Sequence, residues 1–137
     1  MKLSKAQRLQ VWNKSGGKCW YCGCDLPATG WHADHFLPVE RKLKSERKNG
    51  YDRLVPTGEV NYPERENIDN LVPSCSACNI LKGGNTAEDF RYLLERIKTS
   101  IFHHSIARAA KRFGFLEIKE QPIVFWYEKQ EQNGGGE

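Results

Sequence analysis

Two pairs of cysteines constrain this chain of 137 residues more than any other feature. Cys19 and Cys22 form a C-x-x-C motif within GKCWYCG, and Cys75 and Cys78 form a second one within PSCSACN. Two such pairs match a tetrahedral site of four thiolates, so we predict that these cysteines bind a structural Zn²⁺. The ion would then hold together two segments that are far apart in the sequence.

A fifth cysteine, Cys24, follows the first pair closely. The sequence leaves two roles open for it. It is either a free thiol beside the zinc, or it replaces Cys22 as a ligand.

The composition indicates a soluble globular protein, because 39% of the residues are hydrophobic and 28% are charged. No apolar run approaches the ~20 residues that a membrane-spanning helix needs. The first residues, MKLSKAQRLQVW, contain no uninterrupted apolar stretch like that of a signal peptide. We therefore expect a cytoplasmic protein that does not associate with membranes and whose cysteines are not disulfide-bonded.

Periodicity and capping residues predict an α+β fold in one domain over residues 1–128, followed by a disordered tail over 129–137. The predicted elements are a helix from Ser4 to Gly16, strands within 30–37 and 67–75, a short helix over 76–83, one or two helices from Thr86 to about Arg112, and a C-terminal β-hairpin of two short strands joined at Gln121-Pro122. The helical and strand extension covers residues 86–128.

Residues 41–67 have no clear period, and we interpret them as a long insertion with a short basic helix at its start. The insertion opens with RKLKSERK, which holds five basic residues and one acid within a chain of net charge +4. Clustered positive charge favours a polyanionic partner. The predicted nucleic-acid contacts in this stretch are Arg41, Lys42, Lys44, Arg47 and Lys48.

Asp34 and His35 lie side by side in the mostly apolar stretch WHADHFLP. A buried carboxylate is costly unless something pairs with it or binds it. A zinc ion on the two C-x-x-C pairs would place the strands at 30–37 and 68–74 side by side, with the 76–83 helix across them. Asp34 and His35 would then lie near Asn79, and these side chains together suit a hard divalent cation.

These residues together resemble the HNH nucleases, a family built on a ββα-metal motif. The resemblance rests on ADH at 33–35, NLVPSC at 70–75 and CNILKG at 78–83, and it covers roughly residues 15–90. Many members also hold this motif between two C-x-x-C knuckles.

The resemblance implies a role for each matching residue. Asp34 and Asn79 would bind the catalytic metal, His35 would be the general base, and Asn70 would brace the hairpin through backbone hydrogen bonds. Lys82 would touch the phosphate backbone. Only two side chains would then hold the ion, which favours Mg²⁺ or Mn²⁺ over a catalytic zinc.

The implied function is hydrolysis of DNA phosphodiester bonds, by nicking or double-strand cleavage. His35 would activate the water, and the divalent ion would stabilise the departing 3′-oxygen. The expected partner is double-stranded DNA, with a second copy of the chain or a phage or host DNA-processing protein as further partners. Two alternatives stay open, a ribonuclease on the same motif and a non-catalytic zinc-knuckle module that binds nucleic acid.

Overall fold

A computed structural model describes residues 2–134, and the fold is α+β with two small sheets, as predicted. The helices are α1 (Lys5–Asn13), α2 (Ser76–Lys82), α3 (Ala87–Ser100), α4 (Ser105–Arg112) and α5 (Trp126–Gly134). The strands are β1 (His32–His35), β2 (Arg41–Lys48), β3 (Tyr51–Val60) and β4 (Leu71–Ser74). Single turns of 3₁₀-helix cover Pro63–Arg65, Ile68–Asn70 and Ile101–His103. None of the helices in residues 2–134 is long and apolar enough to cross a bilayer.

The strands β1 and β4 form an antiparallel pair in which Asp34 lies opposite Val72 and His35 lies opposite Leu71. Every residue of β4 is buried, and α2 begins directly after it with the Cys75 sulfur as its N-cap acceptor. This pair of strands followed by a short helix is the arrangement that the sequence predicted for these segments.

Two helices begin with reciprocal hydrogen bonds between a capping side chain and the third helical residue. Ser4 and Gln7 form this capping box at α1, and Thr86 and Asp89 form it at α3. Both starts agree with the sequence prediction, because the cap depends on local residues alone.

An aromatic cluster lies at the centre of the core. The ring of Tyr21 packs edge-on against Phe90 at 5.7 Å and against Phe125 at 5.6 Å between centroids. All three side chains are at most 2% exposed. The core therefore joins the first cysteine knuckle to α3 and to the C-terminal segment.

The predicted basic helix in the insertion is wrong. Residues 41–60 form the β2–β3 hairpin instead, joined by the two-residue turn Asn49-Gly50. Both turn residues have positive φ, 52° and 80°, which is the backbone geometry that such tight hairpins need. Every residue of β2 is exposed, so the hairpin lacks the alternation of apolar and polar residues that usually marks a strand.

The predicted C-terminal β-hairpin is also wrong. Residues 116–125 form no strand, and the chain then enters α5. The backbone N–H of Trp126 donates to the Tyr21 carbonyl (2.8 Å), and that of Tyr127 donates to the Trp20 carbonyl (3.1 Å). The start of α5 thus bonds to the first knuckle, and residues 116–125 pair with no strand. Residues 129–134, predicted as disordered, lie in α5, and residues 135–137 lie outside the described residues.

Candidate active site and metal centre

The side chain of Asn70 holds the end of β1 against the start of β4. Its Oδ1 accepts a hydrogen bond from the backbone N–H of Leu37 (2.9 Å), and its Nδ2 donates to the Leu37 carbonyl (2.8 Å) and to the Arg65 carbonyl (2.9 Å). The Asn70 carbonyl also accepts from the Phe36 N–H at 2.8 Å. These hydrogen bonds join the segment that follows β1 to the segment that precedes β4, directly beside His35.

Asp34 is 7% exposed, and its carboxylate is satisfied from two sides. The Tyr21 hydroxyl donates to Oδ2 at 2.6 Å, and the Lys82 ammonium lies 3.1 Å from the same oxygen. Burial of the Tyr21 hydroxyl and the charge of Asp34 both raise the Tyr21 pKa, so the hydroxyl stays protonated and donates. Asp34 is therefore a buried anion with a matched cation and a matched donor.

Lys82 reaches this carboxylate from the last turn of α2. Its Nζ also donates to the His35 carbonyl at 3.1 Å, and its side chain is 1% exposed. The ammonium is thus enclosed and bonded to β1, and it does not face a phosphate as the sequence predicted. The Asp34 carboxylate and the His35 carbonyl explain this placement, because a buried ammonium needs a counter-charge and hydrogen-bond acceptors.

His35 lies at the end of β1 with a quarter of its side chain exposed. Its Nε2 atom is buried and lies 3.2 Å from Oε1 of Glu66, although the two groups are not aligned as a hydrogen bond. Its Nδ1 makes no hydrogen bond within residues 2–134. The carboxylate therefore faces Nε2, and Nδ1 is the ring nitrogen left to accept a proton from a water.

Asn79 lies one turn before Lys82 on α2, and so on the same face of the helix as the residue that touches Asp34 and His35. Its side chain makes no hydrogen bond within the described residues. An amide oxygen from Asn79 and the Oδ1 oxygen of Asp34 suit Mg²⁺ or Mn²⁺, which bind few protein side chains and retain waters. Lys82 pairs with Oδ2, the other oxygen of Asp34, at 3.1 Å.

Five cysteines converge at the junction of the first knuckle and α2. The sulfur atoms of Cys19, Cys22, Cys24 and Cys75 all lie within 4.8 Å of one another, and within residues 2–134 this is the one cluster of at least three His, Cys, Asp or Glu side chains that can hold a metal ion. The sulfurs of Cys22 and Cys75 are 3.9 Å apart. Two sulfurs on one tetrahedral zinc are separated by about 3.8 Å, so the cluster fits Zn²⁺.

The group of four contains Cys24 in place of Cys78, which the C-x-x-C spacing predicts as the fourth ligand. Cys78 nevertheless touches the group, because its thiol hydrogen-bonds to Cys19 and its backbone N–H donates to the Cys75 sulfur at 3.4 Å. Cys24 lies beside Cys22 within this group of four.

The sulfur of Cys19 is the most stabilised anion of the cluster. Hydrogen bonding from the neighbouring Cys78 thiol lowers the pKa of Cys19 to about 4 despite its burial, with the backbone N–H of Cys75, 3.4 Å from the sulfur, acting in the same direction. Burial and the neighbouring sulfurs of Cys22 and Cys75 raise the pKa of Cys24 to about 12. Hydrogen bonding to Cys19 and burial also raise the pKa of Cys78. Donors aimed at a sulfur are typical of cysteines that bind metal as thiolates.

The five basic residues predicted to contact nucleic acid all lie on β2 and are all exposed. They differ in their partners. Arg47 pairs with Asp52 at 3.5 Å and Lys42 pairs with Glu59 at 3.5 Å. Arg41, Lys44 and Lys48 form no ion pair within the described part of the chain, so their charges are available to a partner.

Sequence reasoning missed Tyr21 and Glu66 as parts of the site. Tyr21 follows the first cysteine by two residues in the GKCWYCG knuckle, where its hydroxyl reaches across to β1. Glu66 comes from the irregular segment before Asn70, which has no periodic pattern. The position of Tyr21 between two cysteines predicted to bind zinc could have indicated that it lies near the site. No local sequence pattern indicates that Glu66 lies near His35.

The chain was compared with protein-family models, with curated proteins and with solved structures, and none of the three comparisons found a match.

Proposed function

We propose that this protein is a metal-dependent endonuclease of the HNH class that hydrolyses DNA phosphodiester bonds. The observation that carries the proposal is the β1–β4–α2 unit braced by Asn70, in which Lys82 bonds to both Asp34 and His35 one turn away from Asn79. These contacts support a single site formed by the three side chains that resemble the catalytic residues of that family.

In the proposed reaction, Nδ1 of His35 takes a proton from the attacking water, since neutral imidazole accepts protons near pH 7. Glu66 faces Nε2 and holds the ring so that Nδ1 points at the water. Asp34 and Asn79 would hold a divalent ion, which when bound stabilises the charge that develops on the phosphate and the leaving 3′-oxygen. Products with 5′-phosphate and 3′-hydroxyl ends are expected by analogy with the family.

The test is incubation of supercoiled plasmid with the purified protein in Mg²⁺ or Mn²⁺, beside His35→Ala. His103→Ala is the control, because it removes an exposed imidazole far from this site in the sequence. Nicked or linear DNA with the parent and the control, and none with His35→Ala, is the expected result. Equal cleavage by all three proteins, or no cleavage of DNA by any of them, would contradict the proposal.

A second candidate is a non-catalytic module that binds nucleic acid and uses the cysteines as a scaffold. The contact that favours it is the ion pair between Asp34 and Lys82, which gives the buried carboxylate a structural partner without any catalytic metal. A ribonuclease on the same motif is a further variant of the first proposal. Binding of DNA or RNA that survives EDTA, with no cleavage of either in Mg²⁺ or Mn²⁺, would favour the module.

A further inference from the structure

The β2–β3 hairpin stands away from the core of the protein. All eight residues of β2 are exposed, and in β3 only Val55 and Val60 are partly buried. A two-stranded hairpin without a packed face is marginally stable in water. Such an element, carrying large side chains on both faces, is suited to a partner that covers one of them.

The register of the hairpin separates its side chains into two faces, because directly opposed residues share a face and successive residues alternate. The basic face carries Lys44, Glu46, Lys48, Tyr51, Arg53 and Val55. The neutral face carries Leu43, Ser45, Arg47, Asp52, Leu54 and Pro56.

The charges of the hairpin are distributed unequally between these faces. Three cations and one carboxylate give the basic face a net charge of +2, whereas the single cation and single carboxylate of the neutral face cancel. On the neutral face Arg47 is bound twice, by Asp52 at 3.5 Å and by the Gly50 carbonyl at 3.2 Å. On the basic face Arg53 forms an ion pair with Glu46 at 3.5 Å. Lys44 and Lys48 form no ion pair within the described residues.

The spacing of the two unpaired lysines fits a groove of duplex DNA. Lys44 and Lys48 are four residues apart on one strand, a distance of about 13 Å at the usual rise of an antiparallel strand. The major groove of B-DNA is ~12 Å wide and admits a two-stranded β-ribbon. Tyr51 lies opposite Lys48 beside the Asn49-Gly50 turn, with 79% of its surface exposed at the tip of the ribbon.

We infer that the β2–β3 hairpin is a DNA-binding ribbon that enters the major groove of double-stranded DNA with its basic face. Lys44 and Lys48 contact phosphates on the two sides of the groove, and Tyr51 reaches the groove at the tip. The inference rests on the proposed function only in taking duplex DNA as the substrate. The inference removes Arg47 from the five β2 residues predicted to contact nucleic acid, because Arg47 lies on the neutral face and pairs with Asp52.

The test measures affinity for a DNA duplex by fluorescence anisotropy over a range of salt concentrations. All variants are made in the full chain with His35→Ala, so that cleavage does not affect binding. Lys48→Gln and Arg47→Gln are the matched pair, since each removes one cation from adjacent positions on opposite faces. Thermal melting followed by circular dichroism checks that the core of each variant remains folded.

A phosphate contact changes the slope of log K against log salt by about 0.9. Lys48→Gln should therefore weaken binding roughly five-fold near physiological salt, and the double variant Lys44→Gln/Lys48→Gln should lower the slope by about 1.8. Arg47→Gln should leave both quantities nearly unchanged. The His35→Ala protein should protect guanine N7 from dimethyl sulfate, because N7 faces the major groove. The same protein with Lys44→Gln and Lys48→Gln added should not protect it.

Equal losses for Lys48→Gln and Arg47→Gln would contradict the inference, because the hairpin would then contribute only its overall charge. Unchanged binding in every variant would also contradict it, and sedimentation would then show whether the exposed Leu43 and Leu54 pair with a second copy. DNA cleavage by the protein with His35 intact, together with unaffected binding in the variants, would contradict the ribbon and leave the nuclease proposal. Loss of binding in Lys48→Gln but not in Arg47→Gln, with no cleavage by the protein with His35 intact, would support the ribbon and contradict the nuclease proposal.

Discussion

At the scale of single residues, the buried pair of Asp34 and Lys82 has the strongest energetic consequence. Their side chains are 8% and 1% exposed, and the hydroxyl of Tyr21 completes the hydrogen bonding of the carboxylate. Removal of one partner from such a pair leaves an unmatched charge in a poorly solvated environment. The pair therefore joins α2 to β1 and keeps the catalytic candidates together.

Lys82→Met is expected to destabilise the protein by about 3–5 kcal/mol, because Asp34 would lose its counter-ion while the alkyl stem is preserved. The free energy of unfolding in urea measures this loss. Lys119→Met is the control, since Lys119 is exposed. If Lys82 instead served only to contact phosphate, the variant would keep its stability and lose DNA affinity.

Glu66 is the second single residue with a testable effect, because its carboxylate lies 3.2 Å from Nε2 of His35. If the protein is a nuclease, Glu66→Gln should lower kcat about 10–100-fold, the range typical of residues that orient a reactive group. KM should remain unchanged, because Glu66 positions the base and does not bind the substrate.

Glu64→Gln is the matched control for this variant, because Glu64 is an exposed carboxylate two residues away. Glu66→Asp should recover part of the lost rate by restoring the negative charge. A rise in KM with unchanged kcat in Glu66→Gln would show that Glu66 contacts substrate and would overturn its positioning role.

At the scale of elements, the first knuckle and the start of α2 supply five thiols to a site that needs four. Cys19, Cys22 and Cys75 belong both to the group of four seen in the structure and to the set that the sequence predicts. Cys24 and Cys78 are the alternatives for the fourth position. Each is in contact with the shared sulfurs.

Cys24→Ser and Cys78→Ser should each still bind one zinc ion, because either of these two cysteines can fill the fourth position beside the three shared ligands. The double variant, with three thiols left, should lose zinc, as should Cys19→Ser with a shared ligand removed. Zinc content after dialysis measures retention, and the thiolate-to-cobalt charge-transfer absorption of the Co²⁺ forms reports the number of thiolates. Loss of zinc from either single variant would show that its cysteine is an obligatory ligand.

Zinc binding to the knuckles should also depend on pH in a defined direction. Metal binds thiolates, and the pKa of Cys24 is raised to about 12 while that of Cys19 is lowered to about 4. At neutral pH Cys19 has already lost its proton, whereas Cys24 must release one on binding. The zinc affinity should therefore rise with pH above neutrality, with fewer than four protons released per ion.

Calorimetric titration in buffers of different ionisation enthalpy counts the protons released by zinc binding. Cys24→Ser should leave the count unchanged, because Cys78, whose pKa is also raised, would take the fourth position and release a proton in its place. Release of four protons near pH 7 would contradict the low pKa of Cys19.

The sequence predicted those elements whose signals are local. The capping residues at α1 and α3 and the short strands beside the cysteine pairs were found because their patterns depend on neighbours in the chain. The β2–β3 hairpin was missed although Asn49-Gly50 is a strong turn signal, since neither face is buried and no alternation accompanies it. The contact between Glu66 and His35 arises only from tertiary packing, which no local pattern encodes.

At the scale of the whole molecule, the C-terminal segment closes the fold over the first knuckle. Phe125 packs on Tyr21 and Phe90, and Arg91 in α3 donates to the Glu128 carboxylate at 2.8 Å. Residues 123–127 form an uninterrupted apolar and aromatic run, IVFWY, which is typical of a buried strand and led to the wrong prediction of a hairpin. Their partners are the aromatic rings of the knuckle and α3, so the segment needs no second strand.

Phe125→Ala tests whether this closure stabilises the whole molecule. Truncation of a buried phenylalanine removes its packing and leaves a cavity, so the free energy of unfolding should fall by about 3–5 kcal/mol. That loss is a large part of the 5–15 kcal/mol that a domain of this kind typically has. Tyr21 would lose one of its two ring neighbours, and its hydroxyl would hold Asp34 less firmly.

Phe115→Ala is the control for that variant, because it makes the same truncation at a side chain that is 78% exposed. Its effect should stay within about 0.5 kcal/mol, as is usual for surface positions. Urea denaturation of the zinc-loaded protein measures both changes. Equal stability of the two variants would mean that the C-terminal segment does not contribute to the core, and the knuckle would then have to be held by zinc and β4 alone.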